Sequence, residues 1–344
     1  MDNQNIDKKT ADRLPELLTV SASPHIRSSV TTSSIMLTVI IAMLPALLWS
    51  IYLYGIRALL VVAVSTIASV ASEFLYQKLM KQKVTVNDLS AVVTGILVGF
   101  NLSPLIPLWI AAVGSVFAIV IVKQLFGGIG KNFLNPALAA RVFLFIAFSK
   151  PMSTFAEPLS NISLFKSNAD VIASATPMAS LKAGTVPSDI NIIQSFIGQT
   201  SGCIGEISCL LLLCGGLVML VRRVITWHIP VSFIGTVALL SYLFAPRTAD
   251  AASFMMFSIF SGGLFLGAIF MATDYATCPM TSSGKLIYGV GCGAITVFIR
   301  FFAGFNEGVS FAILIMNLLV WYIDKLTRPR PFGKIKSKKG ETSK

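Results

Sequence analysis

Charge is what this sequence has least of: Asp, Glu, Lys and Arg make up 12% of its 344 residues, against about a quarter in soluble globular chains. So few charged groups cannot clothe a water-soluble domain of this length. Histidine is nearly missing, with only His25 in an N-terminal polar tail and His228 at a helix start, which argues against Ser-His-Asp catalysis. The five cysteines, Cys203, Cys209, Cys214, Cys278 and Cys292, include no CxxC pair. That argues against an iron–sulfur or zinc site made by this chain alone, and for small apolar side chains packed between helices. Strands of alternating polarity are also missing, which excludes the outer-membrane barrel.

What is abundant is apolar surface: 55% hydrophobic residues and a mean hydropathy of +0.79. Ten apolar stretches recur, at 35–53, 58–76, 89–101, 107–122, 135–149, 207–221, 229–245, 252–271, 286–303 and 308–323. A hydrocarbon core of about 30 Å asks for roughly 20 helical residues, and helices are the remaining way to satisfy the backbone there. The expected fold is an all-α integral membrane protein of about ten transmembrane helices. The first stretch follows a polar tail and lacks a small-residue cleavage site, so it reads as a retained span.

The net charge of +12 reports topology, not affinity for nucleic acid. With the N-terminus cytoplasmic and ten alternating spans, 20 Lys and Arg fall on the inner side and six on the outer, with Arg141 inside a span. The positive-inside rule then puts both termini in the cytoplasm. The chain divides into a tail (1–34), a first membrane half (35–149), an extracytoplasmic loop (150–206), a second membrane half (207–324) and a basic cytoplasmic tail (325–344).

Five spans on each side of the loop suggest duplication. Thr94-Gly95 through Gly99 matches Gly262-Gly263 through Gly267, and Gly114, Val120, Val122, Lys123 and Gly127 match Gly291, Val297, Ile299, Arg300 and Gly304 at a constant offset of 177. Five spans per repeat would invert the second copy. The competing reading is that glycines spaced by four serve plain helix packing. Under duplication the third and eighth spans correspond; one is short, the other broken by glycine, and interrupted helices at matching positions point to a binding site.

Asn135-Pro136 is a helix start by itself, since Asn accepts backbone donors at a cap and Pro fits the first turn. The preceding glycines and Asn132 exceed what capping needs, and could grip a ring bearing carbonyls and ring nitrogens, or an anion. A P-loop is excluded, because neither Ser nor Thr follows Lys131. Arg141 inside a span must face protein, water or an anionic group. Asp88, Asp274, Asp324 and Glu73 are expected at solvated inner helix ends, and Glu206 and Glu307 near outer ends. In the polar loop, Asp170 through Thr176 reads by itself as ordinary loop sequence.

Four blocks carry a resemblance: GGIGKNFLNPA (127–137), FMATDYATCP (270–279), IRFFAGFNEGVSFAILIMN (299–317) and DKLTRPRPFG (324–333). Together they resemble the RnfD/NqrB family, which supplies the D component of Rnf electron-transport complexes and the related B component of the sodium-translocating NADH:quinone reductase. The TRPRPFG ending and short length favour the Rnf member. The resemblance implies FMN joined by a phosphodiester to Thr176, installed outside the cytoplasm by a flavin transferase. The family pattern, Asp-Gly-x-Ser/Thr-Gly-Ala-Thr, is matched at Asp170, Ala175 and Thr176, while Val171, Ala173 and Ser174 depart from it. It further implies a second flavin, non-covalent riboflavin, at Asn132 and Asn135, with Thr273 and Asp274 as further candidates. As partners it implies Rnf subunits A, B, C, E and G and the bilayer of a bacterial inner membrane. The implied activity is that of an electron-carrying subunit of a ferredoxin:NAD oxidoreductase coupled to Na+ or H+ transport. The rival expectation is a passive channel or transporter on the same inverted repeats, without a redox group.

Overall fold

All ten apolar stretches become helical in the computed structural model, which describes residues 30–159, 176–185, 191–246, 250–303 and 307–329. The first half comprises α1 (Thr32–Tyr54), α2 (Ile56–Leu79), α3 (Ser90–Phe100), α4 (Leu108–Val116, widening into a π-helix over Phe117–Gln124) and α5 (Pro136–Ala147). Short helices α6 (Ser149–Ser153), α7 (Pro177–Lys182) and α8 (Ile192–Ile197) belong to the central loop. The second half holds α9 (Cys209–Val221), α10 (His228–Leu243), α11 (Ala251–Phe260), α12 (Leu264–Leu266, widening into a π-helix over Gly267–Met271), α13 (Ser282–Phe302) and α14 (Val309–Thr327). Starts follow local chemistry: Thr31, Asn135, Asp250 and Thr281 each accept a backbone N–H of the first turn of their helix. Leu48, Ile67, Ile146, Val221 and Phe298 point outward, each more than 60% exposed. Such a surface is stable against lipid, not water.

Among the described residues, only α1, α2, α13 and α14 are single helices long and apolar enough to cross a membrane. The third span is short, as its sequence implies. The eighth, expected over 252–271 as a run broken by glycine, is indeed two pieces, α11 and α12, bent by 58°. Ser261-Gly262-Gly263 makes the break, with both glycines at positive φ (+72° and +67°). A Cβ on Gly263 would lie 2.4 Å from the Glu206 carboxylate, so the bend is where the chain makes room for an acid.

The helix packing repeats between halves. The second helix of each half packs on the third and fourth, α2 on α3 and α4, and α10 on α11 and α13; α1 meets α9, and α5 meets α14, across the halves. The matched sequence positions also meet in space, through different atoms. Lys123 donates to Ser90 Oγ (2.6 Å) in one half, and Arg300 donates to the Ser258 carbonyl (2.7 Å) in the other. The offset that aligns Thr94 with Gly262 aligns Ser90 with Ser258 and Glu73 with Ser241. Glu73 binds Lys123 (2.8 Å), and Ser241 bonds Ser258 (2.8 Å). Glycine spacing alone would not bring the matched positions of the third and fourth helices together in both halves, so the repeat is structural.

One part of the expected outer loop is not solvated. From Ser201 to Ser208 the chain is largely buried, including Cys203, Ile204, Glu206 and Ile207. The reason lies in α3, which stops short and leaves carbonyls without helical partners. Gly205 N donates to Phe100 O (2.8 Å), and Ile204 N donates to Leu102 O (3.0 Å). Close backbone approach makes glycine necessary here, since a Cβ on Gly205 would meet the Phe100 ring at 2.3 to 2.5 Å.

Gly95 faces the backbone of α2, where its Cβ would stand 2.5 Å from Thr66 Cα, whereas a Cβ on Gly235 meets nothing within 4 Å. Gly95→Ala should therefore lower stability by about 1–3 kcal/mol. Gly235→Ala should be neutral or stabilising by up to about 1 kcal/mol. Thermal unfolding in detergent checks both, and equal effects would contradict the packing described.

Candidate functional site

The 127–137 and 270–279 blocks, far apart in sequence, wall one cavity of about 100 Å³. Asn132, Asn135, Thr273 and Asp274 all line it, together with Ser90, Thr94 and Lys123 and the apolar side chains of Val39, Leu97 and Phe270. The four candidate residues are thus brought together. Their polar groups are partly committed to the scaffold: Asn135 Oδ1 accepts from Ala137 N and Leu138 N, its Nδ2 donates to Met271 O (3.1 Å), and Thr273 Oγ1 donates to Ile269 O (2.6 Å). Asn135 therefore ties the start of α5 to the end of α12 and shapes the cavity. Burial pushes the Asp274 carboxyl up, against hydrogen bonds from Thr277 and nearby backbone. Apolar walls with amide, hydroxyl, carboxyl and ammonium groups among them suit a flat heteroaromatic ring.

Lys123 belongs to a second, largely buried network behind that cavity. Its ammonium donates to Glu73 (2.8 Å) and Ser90 Oγ (2.6 Å), and Gln124 and Gln77 both donate to the second Glu73 oxygen (2.9 and 3.3 Å). Ser90 Oγ in turn donates to Asp88, which also accepts Ser90 N (2.8 Å) and so starts α3. This corrects the expectation that Glu73 sits at a plain solvated helix end, since Glu73 is 1% exposed, while Asp88 is half-buried at the start of α3. The wider turn of the π-helix over Phe117–Gln124 carries both Lys123 and Gln124, which converge on one carboxylate. Lys123 and Arg300, assigned by sequence to opposite sides of the membrane, are both buried. Setting one aside from each side leaves the charge bias intact.

Arg141 organises the third site. Its guanidinium donates to Asn101 Oδ1 (2.6 Å), to Glu206 and to Glu307, with Cys203 Sγ at 3.5 Å. The expectation that Arg141 faces an anionic group holds, and Glu206 is buried with it, not solvated near a helix end. Cys203, Glu206 and Glu307 lie close enough together to hold a metal ion, but the Arg141 guanidinium already sits on both carboxylates and supplies the positive charge. Burial pushes the Cys203 thiol well up, keeping it protonated and unreactive. Burial also pushes the Glu206 carboxyl up, opposed by Arg141.

Thr176 stands at the start of α7 and makes no capping bond with its side chain. It lines a cavity of about 220 Å³ with Arg141, Ser153, Glu307, Ser310 and the aromatic rings of Phe145, Phe155 and Phe311. It also borders a narrow cleft reaching Glu206 and the Ser261-Gly262 break. Hydroxyl, guanidinium and aromatic walls in one cavity fit a phosphorylated aromatic ligand. Asp170 and Ser174 lie outside the described residues. The Asn135 and Thr176 cavities share no lining residue.

Comparison with known proteins agrees with these blocks. The model of the NQR2, RnfD, RnfE family matches residues 19–333. The chain belongs to this family. It is 48% identical to the D component of the Na(+)-translocating ferredoxin:NAD(+) oxidoreductase complex of Acetobacterium woodii, over 94% of this chain and 97% of that protein. The D component of the proton-translocating ferredoxin:NAD(+) oxidoreductase complex of Clostridium ljungdahlii is 38% identical (92% and 96%). The D component of an ion-translocating oxidoreductase complex of Stutzerimonas stutzeri is also 38% identical (90% and 94%). In this member of the NQR2, RnfD, RnfE family, the buried ion pairs are what sequence reading missed. Glu73 carried the available signal, being a carboxylate inside an apolar run; its pairing with Lys123, 50 residues on, left no local trace.

Removing one member of a buried pair leaves the other charge uncompensated, at a cost of about 3–5 kcal/mol. Glu73→Gln should therefore destabilise strongly. Adding Lys123→Met should recover most of that loss, and a thermal-unfolding cycle on the four proteins tests it.

Proposed function

We propose that this chain is the membrane subunit of an Rnf-type complex that relays electrons between ferredoxin and NAD through partner subunits and couples this to Na+ or H+ transport. The observation that carries the reading is that Thr176 opens onto a cavity with a buried arginine and aromatic walls, while the 127–137 and 270–279 blocks form a second cavity elsewhere. FMN is attached to the Thr176 hydroxyl through a phosphodiester, and riboflavin occupies the second cavity. A flavin supplies one- and two-electron chemistry.

The chain's own residues bind, orient and exclude water. Phe145, Phe155 and Phe311 give the first cavity apolar walls, and Arg141 gives it positive charge. In the second cavity, Asn135 holds two helices at a set spacing, while Asn132, Asp274 and Lys123 offer polar partners to the edge of a ring. The second cavity lies against the short third span and the broken eighth, at Leu97 and Phe270, where backbone can turn toward a ligand without crossing lipid. Partners are the Rnf subunits A, B, C, E and G and a flavin transferase. The positive-inside bias supports cytoplasmic termini, an extracytoplasmic 150–206 loop, inverted halves and residence in a bacterial inner membrane.

On a denaturing gel the wild-type protein should fluoresce as a flavin band, and its mass should exceed that of the bare chain by one FMN phosphodiester. Thr176→Ala should lose both, and a colourless wild-type band of unmodified mass would overturn the covalent-flavin reading. Topology is checked separately in a cysteine-free background. Leu159→Cys should react with a membrane-impermeant maleimide in intact cells, and Gln82→Cys only after permeabilisation.

A further inference from the structure

Arg141 grips two carboxylates that are not equally held. The Glu206 side chain is 4% exposed and the Glu307 side chain 21%. Glu206 is fixed from several sides: its backbone N–H donates to Cys203 O (3.1 Å), the preceding Gly205 is bonded to Phe100, and Gly263 lies against its carboxylate with no space for a Cβ. Glu307 instead lines the larger cavity and the narrow cleft, and Thr176 is beside it in both. Thr176 and Arg141 also face that larger cavity together.

Charge balance makes this arrangement consequential. Arg141 has two carboxylate partners, so its one positive charge is already fully matched by Glu206 and Glu307. The other buried cation nearby, Arg300, spends its guanidinium on the Ser258, Ser261 and Gly262 carbonyls (2.7, 2.9 and 3.1 Å). A phosphodiester on Thr176 would bring a further negative charge into the same poorly solvated space, where unpaired like charges repel strongly. The guanidinium that already faces this space is Arg141, whose planar fork suits phosphate as well as carboxylate. Glu307, the more exposed of its partners, is the one that can leave for water.

We propose that Arg141 is the residue that holds the phosphate of the flavin on Thr176, and that Glu307 occupies its guanidinium in the unmodified chain. Attachment then exchanges one anion for another on Arg141, with Glu206 and Asn101 keeping the arginine in place throughout. Arg141 is a positioning residue in this scheme, and Glu307 a place-holder whose removal opens the phosphate site. The inference rests on the reading that Thr176 carries FMN.

The test uses the full complex purified from membranes, with Arg141→Gln, Arg141→Lys and Glu307→Gln in this chain. It reads flavin occupancy from intact mass, the anisotropy of the covalent flavin, and the rate of attachment when flavin-free complex is given transferase and a flavin dinucleotide, the Thr176 hydroxyl displacing a nucleoside monophosphate from its pyrophosphate. Arg141→Gln should lower occupancy or attachment rate by about tenfold or more, the scale of a lost charged hydrogen bond, and any attached flavin should show lower anisotropy. Arg141→Lys should recover part of each. Glu307→Gln leaves Arg141 paired with Glu206, so it should fold, and attachment should be faster than in wild type. Wild-type occupancy and anisotropy in Arg141→Gln overturn the inference. If Arg141→Gln does not assemble, Glu307→Gln decides alone, and an unchanged or slower rate of attachment overturns it. A wild-type chain without flavin on Thr176 is a different result, which overturns the reading beneath.

Discussion

A guanidinium buried among apolar helices has to be matched by anions, and the position of Arg141 in α5 dictates much of the surrounding architecture. It draws in Asn101 from the end of α3, Glu206 from the segment before α9, and Glu307 from the turn before α14. Each is delivered by an irregular stretch of backbone. α3 stops early, the 201–208 segment folds inward to pair with its orphan carbonyls, and the α11–α12 bend at Gly262-Gly263 leaves room for the Glu206 carboxylate. Breaks in helices that would be costly in open lipid are satisfied here by protein.

The duplication shows how one scaffold was put to two uses. Matching positions in the two halves carry a cation on the fourth helix and a serine on the third, and they meet in both halves. In the first half Glu73 neutralises Lys123 next to the cavity that Lys123 helps to line. In the second, the equivalent position is Ser241, and Arg300 instead closes the carbonyl end of α11, a favourable place for a cation, with its Nε left without a hydrogen-bond partner among the described residues. The first half has an acid–base pair at this position, and the second has a clamp on a broken helix.

Much of this was legible beforehand because it is local. Apolar runs become helices, Asn135-Pro136 starts α5 as its capping chemistry implies, and the short third span stays short. The cavity lined by Asn132, Asn135, Thr273 and Asp274 was legible as a set of blocks, though not as a space, and Asn135 proved to be a structural tie as much as a ligand-facing amide. The pairing of Glu73 with Lys123 and of Glu206 with Arg141 was not legible. A carboxylate near a helix end looks the same in sequence whether water or a distant cation solvates it.

The sequence by itself determined the membrane setting, the helical class and the family, because hydropathy, cap residues and contiguous motifs act over a few residues at a time. Tertiary structure alone decided which charges are buried, how sharply the eighth span bends, and which carboxylate is firmly held by Arg141 and which stays near solvent. Those outcomes depend on backbone groups left unpaired in one segment and satisfied by another more than a hundred residues away, a constraint that no local pattern records.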